Sequence, residues 1–108
     1  MIRDTSIEAY RELRESQRLN HDCGILFDAI INLRERFGRW PTDKEIRREC
    51  STLDKLKNWE SNQVTGRRGD LIRIGMVREG EKRQCQITGR LVYTWEIMYP
   101  TAELQGTI

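Results

Sequence analysis

Seven cations are concentrated between residues 67 and 90: Arg67, Arg68 and Arg73, then Arg78, Lys82, Arg83 and Arg90. A guanidinium donates paired hydrogen bonds to phosphate oxygens or to O6 and N7 of guanine. Just upstream, Asn62 and Gln63 carry amides that suit an adenine edge or a helix-end phosphate. Thr65 and Thr88 add hydroxyls to the same stretch. The chemistry this set supports is recognition of a polyanion. Other chemistries find little support. There is no G-x-S-x-G, and the run Thr65-Gly66-Arg67-Arg68-Gly69-Asp70 lacks the Lys-Ser/Thr of a phosphate-binding loop. The only histidine, His21, stands two residues before Cys23 with no second ligand pair at finger-like spacing, which disfavours zinc. No catalytic residue, metal site or cofactor is expected, and the chain does not read as an enzyme. Arg68-Gly69-Asp70 spells an adhesion tripeptide, which we treat as chance.

These residues must be held by a small domain. The chain has 108 residues, 37% of them hydrophobic and 33% charged, which fits one domain with a lean core and a wide charged surface. Net charge is +2, but it is unevenly placed: residues 1–54 carry −1 and residues 55–108 carry +3. A local excess can bind phosphate even on a nearly neutral protein. No apolar run approaches the roughly 20 residues of a membrane span, and no secretory signal is evident. Cys23, Cys50 and Cys85 are odd in number and far apart, as expected of buried thiols in a reducing compartment. A cytoplasmic location follows, in a bacterial cell or an infected host cell.

Thr5-Ser6-Ile7-Glu8 has capping-box form and precedes Ile7, Tyr10 and Leu13, predicting a short helix to about Glu15. Cys23, Leu26, Phe27, Ile30, Ile31, Leu33 and Phe37 repeat at helical spacing, with Asp22 as expected N-cap and Gly38 as C-cap. Thr42-Asp43-Lys44-Glu45 is a second capping box, opening a helix to about Cys50. Ser51-Thr52 could cap a further turn holding Leu53, Leu56 and Trp59, with Trp59 as a core anchor. A basic helix is predicted from Ser61 or Asn62 to Ile74, with Val64, Leu71, Ile72 and Ile74 inward. Gly66 and Gly69 each cost about 1 kcal/mol there relative to Ala, so close approach of another backbone is one reason to have them. Gly75 closes that helix. A short strand should start at Met76-Val77 and turn at Gly80-Glu81. A ribbon should follow, in which Cys85 and Ile87, then Leu91, Tyr93, Trp95 and Ile97, alternate around Thr88-Gly89-Arg90.

The order of these segments carries a resemblance. The run Trp40 to Ile46, then Val64-Thr65-Gly66-Arg67, Leu71 to Val77, Lys82-Arg83, Thr88-Gly89-Arg90 and Trp95 is similar to winged helix-turn-helix proteins, most of all the short versions of phages and prophages. The resemblance covers roughly residues 20–98. It implies an α+β fold with a three-helix core, a recognition helix over Asn62 to Arg73 and a β-wing over Arg83 to Trp95. Residues 1–19 would be an added helical extension and residues 99–108 a mobile tail. The segment Ser51 to Ser61 is longer than the family's usual link, and Gly69 stands where a better helix former is normal. The implied function is sequence-selective binding of double-stranded DNA, in a regulator of transcription or replication. The implied contact set is Asn62, Gln63, Thr65, Arg67, Arg68, Arg73, Lys82, Arg83, Thr88 and Arg90. The competing expectation is a protein-binding adaptor, or inhibitor of a host enzyme, that uses the same surface on an acidic protein. A homodimer through the N-terminal helix is a further expectation, the alternative being that this helix packs on its own domain and covers apolar surface.

Overall fold

Apolar spacing and caps build four helices before any strand forms. They are α1 (Asp4–Ser16), α2 (His21–Phe37), α3 (Asp43–Leu53) and α4 (Ser61–Arg73), followed by an antiparallel pair, β1 (Val77–Gln84) and β2 (Leu91–Ile97). The structure, a computed structural model, describes residues 4–98. The expected tail over 99–108 lies outside the described residues. Together the elements form an α+β domain with one hydrophobic core. No helix among the described residues is long and apolar enough to cross a membrane.

The core is laid on α2, whose Leu26, Phe27, Ala29, Ile30 and Ile31 are fully buried. Ile7 and Leu13 of α1, Ile46 and Cys50 of α3, Val64 and Leu71 of α4, and Val77, Trp95 and Ile97 of the hairpin pack around it. Trp59 is buried in the same cluster, as its expected role as an anchor requires. The first helix therefore belongs to the core, although the sequence suggests an added piece. Its open side is tied to α2 by Arg11 to Glu35 at 2.8 Å and Arg14 to Asp28 at 3.1 Å.

Helix ends follow the sequence closely, with corrections. α1 begins at Asp4, so Thr5 is a helical residue and not the N-cap. The N-cap of α2 is Asn20, not Asp22: its side chain accepts from the Cys23 N–H at 2.8 Å, and Asp22 sits in the first turn, where it pairs with Lys57. Gly38 closes α2 in the left-handed conformation at φ 71°. The Thr42–Glu45 capping box is formed. α3 does not stop at Cys50. It continues to Leu53, and Thr52 bonds back to the Arg48 carbonyl inside the helix, so Ser51-Thr52 caps no new turn. Residues 54–60 are a loop with Leu56 fully exposed, held to α2 by His21–Asp54 at 2.9 Å and by Lys57–Asp22. α4 ends in a paired closure: Met76 N–H donates to Leu71 O at 2.9 Å and Gly75 N–H to Ile72 O at 3.0 Å, with Gly75 at φ 80°. Ile72 and Ile74 are exposed, against the inward expectation.

The hairpin differs most. Gly80-Glu81 makes no turn. β1 runs through it, and one extra residue between Glu79 and Lys82 forms a bulge opposite Tyr93–Trp95. A side chain at Gly80 would meet Thr94 Oγ1 at 2.7 Å, which explains the glycine. Cys85 and Ile87 are not strand residues but part of the tip, closed by Cys85 N–H to Arg90 O and Gly89 N–H to Cys85 O, each at 2.8 Å. Alternation on β2 is real, yet only its inner half is buried. Trp95 and Ile97 reach the core, while Leu91 and Tyr93 on the same face project beyond it and are exposed. Among the described residues the far edge of β2 is met by one backbone bond, from Trp95 N–H to Pro41 O at 3.0 Å.

Candidate nucleic-acid interface

The cations that cluster in sequence divide into two kinds in space. Arg68 is committed inward. Its Nε and Nη2 donate to the two carboxylate oxygens of Asp43, both at 2.8 Å, and its guanidinium lies 3.6 Å above the Trp95 ring. It thus fastens α4 to the start of α3 and to β2. Arg83 is equally committed. It donates to the Trp40 carbonyl and to both oxygens of Glu45, and only a fifth of its side chain is exposed. Although burial pushes the Glu45 carboxyl up, the bonds from Arg83 and from the Gln86 and Thr42 N–H groups outweigh it and hold the pKa below the ordinary value. Both arginines, expected as DNA contacts, are engaged by carboxylates and a carbonyl of the fold itself. A single sequence shows that they are basic, but not that Asp43 and Glu45 lie opposite.

Arg67 and Arg73 share Asp70. Arg67 Nε is 3.1 Å from Asp70 Oδ2, and Arg73 pairs with Oδ1 while most of its side chain stays in solvent. Arg78 pairs with Glu96 at 3.0 Å. The positive stripe along α4 and the hairpin is therefore interrupted by Asp70 and Glu96. Lys82 lies over the Tyr93 ring at 4.9 Å and is exposed. Arg90 is exposed, with no ion-pair partner among the described residues. Thr88, also exposed, uses its hydroxyl to accept from Arg90 N–H at 3.2 Å and steady the tip.

On α4, Gln63 is used locally, accepting from Glu60 N–H at 2.9 Å to cap the helix. Thr65 donates to Ser61 O at 2.9 Å and is exposed, as is Asn62. At 100° per residue, Asn62, Thr65, Gly66, Gly69 and Arg73 share one face. The core does not fill it. A Cβ at Gly66 would meet nothing within 4 Å, and one at Gly69 only the Arg73 guanidinium at 3.8 Å. Neither glycine has a positive φ, so neither backbone conformation nor internal packing requires it.

The structure also brings in cations that the sequence reading passed over. Lys44 and Arg48 stand one turn apart on the open side of α3, and Lys44 donates to Ser61 Oγ at 2.8 Å, beside the start of α4. Lys44 lines two adjoining clefts. One, of about 640 Å³, runs between the start of α3 and β2, past Asp43, Arg68, Arg90, Tyr93 and Trp95. The other, of about 310 Å³, lies between α3 and Ile87 at the hairpin tip. Their i, i+4 spacing on the polar side of a capped helix was a readable signal.

The three cysteines are buried free thiols. Burial pushes the Cys50 thiol up to about 12. Cys85 goes the other way. Burial raises it, but the Thr42 hydroxyl at 3.1 Å, the Thr88 and Ile87 N–H groups and the Thr88 hydroxyl together bring its pKa below the ordinary thiol value. These bonds tie the hairpin tip to the cap of α3.

No protein-family model, curated protein or solved structure matches the chain.

Proposed function

We propose that this chain binds double-stranded DNA as a winged helix-turn-helix protein, with α2, α3 and α4 as the helical core, α4 as the recognition helix and the β1–β2 hairpin as the wing. The observation that carries this reading is the open face of α4. It presents Asn62 and Thr65, next to two glycines that the fold itself does not use, and so offers a polar edge with room for close approach. Recognition helices present such residues, near their N-termini, to base edges in the major groove. Lys44 of α3, beside the start of α4, Arg73 at the end of α4, and Lys82 and Arg90 on the wing supply the phosphate contacts. Arg73 is recruitable, because an exposed pair such as its bond with Asp70 contributes only about 0–1 kcal/mol and can be exchanged for phosphate. Selectivity then rests on Asn62 and Thr65, while Arg68 and Arg83 hold the frame. A role in regulating transcription or replication is the biological setting of this proposal.

Fluorescence anisotropy with duplex DNA over a salt series tests it. About four phosphate contacts give a log–log slope near −3.6. Asn62→Ala should reduce the preference for a selected site over scrambled DNA by about 1–3 kcal/mol, while Arg90→Ala weakens both alike. Absence of saturable binding to any duplex at low salt rejects the proposal. The adaptor reading draws on one specific feature, the Asp70 carboxylate that Arg67 and Arg73 share and that offsets one of their two charges. It gains if an acidic protein, and no duplex, binds the α4 face.

A further inference from the structure

The outer edge of β2 borders the 640 Å³ cleft and is open. Cys85 N–H donates to Arg90 O, and Met98 N–H donates to Met76 O, so the even-numbered residues of this segment turn their backbone groups toward β1. In an antiparallel pair the alternate residues point the other way. Leu91, Tyr93 and Trp95 therefore direct N–H and C=O away from β1. Only Trp95 finds a partner, the Pro41 carbonyl at 3.0 Å. The outward groups of Leu91 and Tyr93 meet no hydrogen-bonding partner among the described residues. Pro41 marks a third lane beside β2. The chain leaves that lane at Thr42 to start α3, and the cleft continues along it between α3 and β2.

The walls of the cleft state what would fill it. Tyr93, Val92 and Trp95 give one side an apolar surface, and exposed Leu91 extends it toward the hairpin tip. Asp43, the acid lining this cleft, is already taken by both nitrogens of Arg68. Lys44 donates only to a serine hydroxyl, and Arg90 has no ion-pair partner among the described residues. The charge left uncompensated at the cleft is positive. An open strand edge, large apolar side chains and free cations together fit one occupant.

We infer that the cleft receives an extended acidic peptide segment of a partner protein, which adds as a third strand to the edge of β2. Backbone bonds to Leu91 and Tyr93 give it affinity, and alternate side chains give it specificity: apolar ones rest on Leu91 and Tyr93, both exposed, and acidic ones reach Lys44 and Arg90. This site lies on the α3-facing flank of α4. It leaves the Asn62–Thr65–Gly66 face free but shares Lys44 and Arg90 with the phosphate contacts proposed above, so an acidic peptide and a duplex compete for those two cations.

The test uses the full chain and a fluorescent eight-residue peptide of alternating glutamate and valine. Its controls are a lysine–valine peptide and a glutamate–valine peptide N-methylated at every second residue. Saturable binding is expected with the first, weaker by at least about tenfold with either control. Amide exchange at Leu91 and Tyr93 should slow on saturation, because their N–H groups become bonded. Tyr93→Pro removes an outward N–H that the fold does not use, so it should fold and lose the peptide. Lys44→Glu, at an exposed position, should narrow or reverse the preference for the acidic peptide over the basic one. Equal affinity for the N-methylated peptide, or unchanged exchange at Tyr93, overturns strand addition. So does failure of the acidic peptide to saturate; if a duplex oligonucleotide then protects the same amides, the cleft is assigned to nucleic acid. Loss of site preference on DNA by Asn62→Ala with peptide binding intact separates this inference from the proposed function.

Discussion

Glu45 shows how far a side chain's neighbours decide its role. It closes the capping box at the start of α3 by accepting from Thr42 N–H at 3.1 Å, and it also holds Arg83 and the Gln86 N–H. Its folded pKa lies below the ordinary value. The stability it contributes is therefore present above its unfolded pKa and is lost as pH falls through the lower, folded pKa. Glu45→Gln leaves a half-buried guanidinium short of its counter-charge. At neutral pH it should cost about 2–4 kcal/mol in urea unfolding, and the gap to the native chain should narrow as both are taken to acid. Equal gaps at pH 7 and in acid would show that the charge of Glu45 is not what matters. Arg68→Ala belongs to the same class. With the bidentate bond to Asp43 and the stacking on Trp95 gone, thermal unfolding should come earlier, while any relative preference among duplexes stays unchanged in the folded fraction. The sequence displayed Arg68 and Arg83 as two more cations in a basic run. What separates them from Arg90 is the carboxylate opposite each one, 25 and 38 residues away in the chain, and only the fold brings those together.

At the scale of elements, local chemistry made the helices legible and long-range packing made the hairpin obscure. Gly38, the Thr42–Glu45 box and Gly75 mark ends that depend on a few neighbouring residues, and each stands where the sequence places it. Asn20 displaced Asp22 as a cap by two residues, since either side chain can accept from the first turn and register on the core selects one. The hairpin could not be read the same way. Gly80-Glu81 has turn composition but is a bulge, fixed by crowding against Thr94 and Glu96 on the opposite strand. Likewise the alternation of Leu91, Tyr93, Trp95 and Ile97 fixes a face, yet not how much of that face other elements cover. The same distinction bears on α4. Gly66 and Gly69 are recognisable as costly in the sequence, and the structure adds that nothing internal needs them. Gly66→Ala and Gly69→Ala should each raise stability by about 0.5–1 kcal/mol in thermal or urea unfolding. If that face meets a nucleic-acid backbone, the same changes should weaken duplex binding. A gain in stability with unchanged affinity would remove close approach as the reason for the glycines.

For the whole molecule, the open question from the sequence was whether the first helix joins two copies or completes one. Its apolar side is spent within the chain: Ile7 is 5% exposed and Leu13 6%, and Tyr10 packs against Trp40 with ring centroids 5.6 Å apart. Arg11 and Arg14 engage Glu35 and Asp28 of α2, so the flanks of the helix are also tied inward. Removing α1 would strip these contacts from α2 and leave apolar surface in water. Ile7 and Leu13 alone, at about 1.5–3 kcal/mol each for full burial, represent a large part of the roughly 5–15 kcal/mol that holds a small domain folded. A chain starting at Asn20 should therefore melt well below the full-length protein, or fail to fold. Leu13→Ala should cost about 2–5 kcal/mol without any dependence of its melting temperature on protein concentration. A dimer built on this face predicts otherwise, because its stability would rise with concentration and Leu13→Ala would abolish that rise. Light scattering at tens of micromolar, read beside the melting curves, decides between them. The geometry of α1 leads us to expect a monomer, and any symmetric assembly on DNA would then have to use another face, such as exposed Ile72 and Ile74 at the end of α4.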